Sequence, residues 1–173
     1  LGSSLKEAET LYRQIYEHRA PMMRFLTDLN IPLPPAFHAA AEFVLNEYLR
    51  EVFEREDIDT ERVRSYLEAA KFEGVRLDTA TLEFAYRHNL QRLTERFVAD
   101  PSEERLRLLS NAASLLDDLP FSVNLWTVQN GYYQALQTVH PTMVERCGRG
   151  DEPAQAWVNS FKELGHRLAV NVT

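Results

Sequence analysis

A chain of 173 residues with 26 acidic and 19 basic side chains, net charge -7, has the length of one domain, or of one domain with an arm. That charge balance excludes a nucleic-acid grip, which requires clustered Lys and Arg, and 45% hydrophobic with 10% aromatic content excludes a disordered chain. No run of about 18 apolar residues is present to cross a membrane, so neither nucleic acid nor membrane is an expected partner.

Cys147 is the single cysteine, which rules out an internal disulfide framework or a cysteine metal cluster and fits a reduced, cytoplasmic setting. The chain opens at Leu1 without an initiator Met. The expectation is a piece of a longer polypeptide, or a processed product.

In chain order, a first helix starts after Ser4, with Leu5, Ala8, Leu11, Tyr12, Ile15 and Tyr16 on one face. Pro21 is expected to kink or restart it, because proline lacks the backbone donor and clashes with the preceding turn. Residues 30–35, Asn-Ile-Pro-Leu-Pro-Pro, are expected to form an extended connection. These features divide the chain into an N-terminal helical arm, residues 1–30, and a single helical domain, residues 31–173. From Pro35 a strong helix follows, with Phe37, Ala41, Val44, Leu45, Tyr48, Val52 and Phe53 on a broad apolar face.

Three later helix starts place apolar residues on either side of a capping residue: Ile58 and Val63 around Asp59, Leu77 and Leu82 around Asp78, Phe121 and Trp126 around Ser122. A fourth combines Asp100 as N-cap with Pro101 and Glu103. The resulting helices cover about 60–73, 79–99, 102–118, 123–139, a short one near 141–147, and 152–169, with Gly74 and Gly148 as C-terminal stops. The last helix carries Trp157, Val158, Phe161, Leu164 and Leu168 on one face. Only residues 170–172 look extended. The fold class is all-α, an irregular bundle of about seven helices packed around a central uncharged helix near 123–139.

That central helix lies in Leu119 to Val144, which contains no Asp, Glu, Lys or Arg in a chain that is 26% charged. Asn124, Gln129, Asn130, Gln134 and Gln137 interrupt it. Neutral amides among aromatics are expected where bulk water is largely excluded, since an unpaired charge would be too costly there. Leu125, Val128, Tyr132, Leu136 and Val139 form its stripe, widened by Trp126 and Tyr133. The candidate site is the Trp126, Gln129, Asn130, Tyr133 face, facing either a substrate or a neighbouring domain. Aromatic rings beside amides suit sugar rings and hydroxyls, and equally suit a buried helix whose amides bond to its neighbours.

Elsewhere the chemistry is sparse. His18, His38, His88, His140 and His166 are dispersed, with no HxxxH or HExxH, and His38 with Glu42 reads as a helix ion pair. No GxSxG elbow or phosphate loop occurs, and Gly148-Arg149-Gly150-Asp151 reads as a turn into the last helix. Glu54, Glu56, Asp57 and Asp59, and the pair Asp117 and Asp118, are carboxylate clusters of the kind that helix ends supply as caps. No catalytic residue, metal ligand or cofactor is assigned.

Several segments in order resemble a known family: Ile31-Pro32 with Ala39-Ala40-Ala41-Glu42-Phe43-Val44-Leu45-Asn46; Gly74-Val75-Arg76-Leu77-Asp78-Thr79; Leu119-Pro120-Phe121; Asn124-Leu125-Trp126 with Gln129-Asn130; and Trp157 with Phe161. From about Ile31 to Val172 the chain resembles the helical C-terminal region that follows the catalytic domain in a subset of glycoside hydrolase family 57 proteins. The resemblance implies a retaining parent enzyme acting on α-glucans or related sugars. Its Glu nucleophile and Asp acid would lie on an upstream barrel-like domain, so none is carried onto this chain. The implied partner is the upstream catalytic domain of the same polypeptide, with an oligosaccharide as a further contact where the helices border the cleft. The competing expectation is a helical protein-interaction module with no carbohydrate role.

Overall fold

A computed structural model describes the backbone of residues 2–170 and the side chains of residues 4–170. Among the described residues lie eight helices and no strand: α1 (Gly2–Asp28), α2 (Pro35–Phe53), α3 (Thr60–Phe72), α4 (Thr79–Ala99), α5 (Glu103–Ala113), α6 (Trp126–Thr138), α7 (His140–Gly148) and α8 (Glu152–Arg167). The all-α expectation holds. Of the extended-looking tail at 170–172, residues 171 and 172 fall outside the described residues.

Several boundaries differ from expectation, each for a local reason. Pro21 lies inside α1 and does not break it. An interior proline costs on the order of 3 kcal/mol, but the inward side runs through it without a change of register: Arg13, Tyr16 and Ala20 are half-buried and Met23 is fully buried. Ser102, not Asp100, caps α5, its Oγ accepting from the Arg105 amide at 3.4 Å. The helix then stops at Ala113 rather than 118. There Ser114 Oγ donates to the Asn111 carbonyl at 2.7 Å, and the chain continues in i to i+3 turns. Ser122 caps nothing. α6 begins four residues after it behind Leu125, and the amide of Trp126 donates instead to Asn124 Oδ1 at 3.1 Å.

Helix ends share one device. At Asn30, Gly74, Gly150 and Ala169 the backbone turns left-handed, with φ of 54, 64, 84 and 55°. Paired bonds close the preceding turn, for instance Val75 N–H to the Ala70 carbonyl at 2.8 Å. Gly74 is therefore the stop it was expected to be, whereas α7 runs through Gly148 and Gly150 makes the stop.

The chain divides into two compact units, residues 1–52 with 61–82, and residues 53–60 with 83–173. In the first, α2 supplies most of the core: Ala40, Ala41, Val44, Leu45 and Leu49 are fully buried. Tyr12 of α1 packs on Phe43 at 5.1 Å and Tyr48 on Tyr66 at 5.3 Å. Asn46 joins α2 to the connection after α3, donating to the Arg76 carbonyl at 3.0 Å and accepting from the Asp78 amide at 2.7 Å.

In the second unit the organising helix is α8, packed against α5 and α7. Its Trp157 and Phe161 stack at 4.8 Å. Phe161 lies 4.2 Å from Tyr132 of α6 and 6.2 Å from Phe97 of α4. The Tyr132 hydroxyl donates to the Phe161 carbonyl at 3.0 Å, and Trp157 Nε1–H to the Pro101 carbonyl at 3.0 Å. The expected central role of the uncharged helix is corrected here: α6 buries only Val128, Tyr132 and Ala135. Its closeness to α4 depends on Gly131, because a Cβ there would collide with Thr94 Cγ2 and reach Val98 Cγ2 at 3.5 Å.

Gly131→Ala therefore has an outcome opposite to helix propensity. Propensity alone would add up to about 1 kcal/mol of stability, whereas overpacking against buried, β-branched Thr94 costs about 1–3 kcal/mol. Chemical denaturation should show a net loss on the order of 1 kcal/mol. Placing the substitution in a Thr94→Ser background, which keeps the hydroxyl bonded to Leu90 and removes the methyl, should abolish the loss.

Candidate functional site

α6 separates the four residues of the candidate site. Val128, Tyr132 and Ala135, at i, i+4 and i+7, turn inward. Gln129 is half-buried and joins that side, its Nε2 donating to the Leu168 carbonyl at 2.8 Å beyond the end of α8. Trp126, Asn130 and Tyr133, also at i, i+4 and i+7, share the outer face. Trp126 is 69% exposed and Tyr133 46%. Asn130, Gln134 and Gln137 are exposed beside them. Three of the four expected site residues thus come together, and the fourth holds α6 to the chain end.

This outer face is not shielded from water within the chain, which corrects the inference drawn from its lack of charge. Amides are satisfied by water as readily as by buried partners, so composition alone does not separate the two settings. What distinguishes the face is its neutrality. Among the described helices α6 is the one without a charged residue. Other helices carry charged pairs along their length, as in Arg13–Glu9 on α1, Arg50–Glu47 on α2, Arg64–Glu61 on α3, Arg87–Glu83 on α4, Arg107–Glu104 on α5 and Arg149–Glu145 on α7.

The carboxylate cluster at 54–59 is a clamped loop of the second unit. Glu56 takes Arg96 at 2.6 Å and Arg105 at 2.7 Å, and Arg96 foremost holds its carboxyl below the ordinary range. Asp57 takes Arg107 at 3.0 Å. Beneath these, buried Asn89 donates to the Arg55 carbonyl at 2.7 Å and accepts from Arg92 at 2.7 Å, while Asn111 donates to the Ile58 carbonyl at 2.8 Å. The guanidinium partners of Glu56 and Asp57 make these carboxylates anchors for the loop. His38 and Glu42 pair at 3.8 Å, as read from their spacing. No cluster of three metal-ligating side chains occurs among the described residues, and none of their helices is long and apolar enough to cross a membrane.

A groove of about 700 Å³ between α5 and α8 has no counterpart in the sequence reading. Ser102, Arg107, Ser110, Ser160, Glu163 and Arg167 contribute to its walls, mixing both charges. Its two walls lie about fifty residues apart in the chain, and no local pattern links them.

His140 opens α7 with its ring 5.5 Å from Phe161 and a buried Nε2 that has no partner. Burial foremost, then the charge of Lys162, holds its pKa below the ordinary value.

Compared with known protein families, curated proteins and solved structures, the chain has no match.

The depressed His140 pKa gives a signed prediction. A group that binds its proton less readily folded than unfolded contributes stability above its unfolded value, about 6.5, and loses it as pH falls through the lower folded value. Acidification should therefore loosen α7 first, read by amide exchange at residues 140–148. His140→Gln should flatten that response.

Proposed function

We propose that this chain is a non-catalytic helical domain that docks onto another folded surface through the outer face of α6. In line with its resemblance to the region downstream of the catalytic domain in family 57 glycoside hydrolases, that surface is the catalytic domain of the same polypeptide. The setting is a cytoplasmic enzyme of α-glucan or related sugar metabolism, with the face packed on the barrel or bordering its substrate cleft. The observation that carries the docking is the charge-free exposure of Trp126, Asn130 and Tyr133 on a protein whose other helices all carry charge. Interface centres are depleted of charge and enriched in Trp and Tyr, and a few such residues supply most of the binding energy.

A second reading, a helical protein-interaction module without a carbohydrate role, has support from α1. There Leu11, Met22, Phe25 and Leu29 are 59, 45, 62 and 54% exposed. With half-buried Ile15 and exposed His18 they fall at alternating spacings of four and three, which a partner helix would cover.

The double substitution Trp126→Ala, Tyr133→Ala tests the docking. In the 173-residue chain alone it should change unfolding free energy by less than about 0.5 kcal/mol, because both side chains are exposed. In the full gene product it should weaken docking at least about tenfold, seen as faster proteolysis between the domains. A gene product with no catalytic domain would remove the hydrolase assignment and leave the interaction module. Unfolding of the isolated chain by the double substitution would overturn the docking face itself.

A further inference from the structure

Within the first unit, Glu73 lies one residue beyond the C-terminal end of α3, where the helix carbonyls present partial negative charge. It is the wrong end of a helix for a carboxylate, and the residue is only 6% exposed. Its Oε2 is enclosed and has no hydrogen-bond partner, and Tyr16 of α1 lies near enough to influence the carboxyl. The other charged groups that face it are Arg24 of α1 and His38 of α2. A shallow groove of about 280 Å³ runs alongside, lined by Thr27, Asn30, Pro32 and His38. Glu73 itself lines this groove, and an oxygen so enclosed is neutralised at least cost by a proton.

We propose that Glu73 is a proton-operated latch for α1: neutral, it lies sealed beneath the helix, and ionised, it draws water in from the groove and loosens the helix from the unit. Ionising a carboxylate with one unpaired oxygen in such a place exacts the desolvation penalty of a buried charge, whereas the protonated form leaves only a neutral carbonyl-like oxygen unbonded. Burial, the largest influence, pushes the carboxyl above the ordinary range against the opposing pull of Arg24, Tyr16 and His38. Tyr16 is itself pushed up to about 12, foremost by burial, and keeps its proton throughout.

The direction follows from linkage. A group whose folded pKa exceeds its unfolded value, about 4.3, contributes stability that is complete below that value and is lost as pH rises through the folded one. The latch is therefore shut in acid and opens towards neutrality, the reverse of the response expected at His140.

Amide exchange of residues 4–28, corrected for intrinsic rates and measured from about pH 4 to about pH 8, tests this in the full chain. The α1 opening equilibrium should rise by up to about tenfold per pH unit from about pH 4.3 up to the folded Glu73 midpoint, and level off above it. Glu73→Gln should hold acid-level protection at every pH. A His38→Asn background, which removes the imidazole facing Glu73, should leave the wild-type response in place. Tyr16→Phe removes a neighbouring hydroxyl that favours the carboxylate, so it should move the midpoint upward even if Glu73→Gln does not fold. Carboxyl-carbon NMR reads Glu73 directly in the unaltered chain. A Glu73 midpoint at or below the ordinary range, or α1 protection with the same pH profile in wild type and Glu73→Gln, would overturn the latch.

Discussion

The second unit depends on what α8 does with one aromatic side chain. Phe161 lies fully buried between Trp157 of its own helix and Tyr132 of α6, with Phe97 of α4 and His140 of α7 at its edges. Each such ring pair contributes about 0.5–1.5 kcal/mol beyond the area it buries. The Tyr132 hydroxyl bond to the Phe161 carbonyl fixes the height at which α6 meets α8. Because α6 is held by its Tyr132 side, and Gly131 lets it approach α4 closely, the opposite side is left outward. The exposure of Trp126 and Tyr133 is thus a consequence of how Phe161 is packed, since one narrow helix face cannot meet the core in two directions.

Both units brace their connections with asparagines where ion pairs would be costly. Asn46 holds the Arg76 carbonyl and Asp78 amide, and buried Asn89 and half-buried Asn111 hold the carbonyls of Arg55 and Ile58. A carboxamide donates and accepts without bringing a charge, so it satisfies the backbone of a loop from inside without the desolvation penalty of an ion. The arginines over Glu56 and Asp57 form an outer layer that water screens, and their individual contributions are small. Against this economy four buried side-chain atoms among the described residues are left without partners: Glu73 Oε2, Arg92 Nε, Ser110 Oγ and His140 Nε2. Among them burial favours the protonated form of Glu73 and the neutral form of His140, so the responses expected of these two to pH are opposite in sign.

What the sequence disclosed tracks the range of the physics involved. Helices were legible because caps, stops and apolar spacing act within a few residues, and Trp157, Phe161 and Leu164 do share the buried face their spacing implied. Pro21 misled because α1's inward register, a tertiary property, outweighs a local defect. Ser122 misled because the amide of Asn124, which a cap there would have bonded, turns instead to Glu83 Oε1. For the candidate site, the i, i+4, i+7 spacing correctly joined Trp126, Asn130 and Tyr133. Gln129 was misassigned because its partner is a carbonyl thirty-nine residues away. The α5–α8 groove and the Gly131 contact are long-range in the same sense, and nothing near them in the chain announces either.

The neutral face of α6 carries a further argument. A helix exposed on one side gains solubility and a few tenths of a kcal/mol from each spaced pair of opposite charges. Helices α1–α5 and α7 of this protein carry such pairs, including ones with both partners well exposed. α6 forgoes them while presenting an indole and a phenol to water. Internal packing does not require this, because the buried side needs only Val128, Tyr132 and Ala135 and would tolerate Lys or Glu opposite. The docking surface we propose would account for both the missing charges and the exposed rings, since an unpaired charge would be desolvated against it without compensation. The same reasoning constrains the chemistry of the proposed partner. Its matching surface would be largely uncharged, with donors and acceptors placed for Asn130, Gln134 and Gln137, since amides stripped of water there would otherwise each cost about 1–3 kcal/mol.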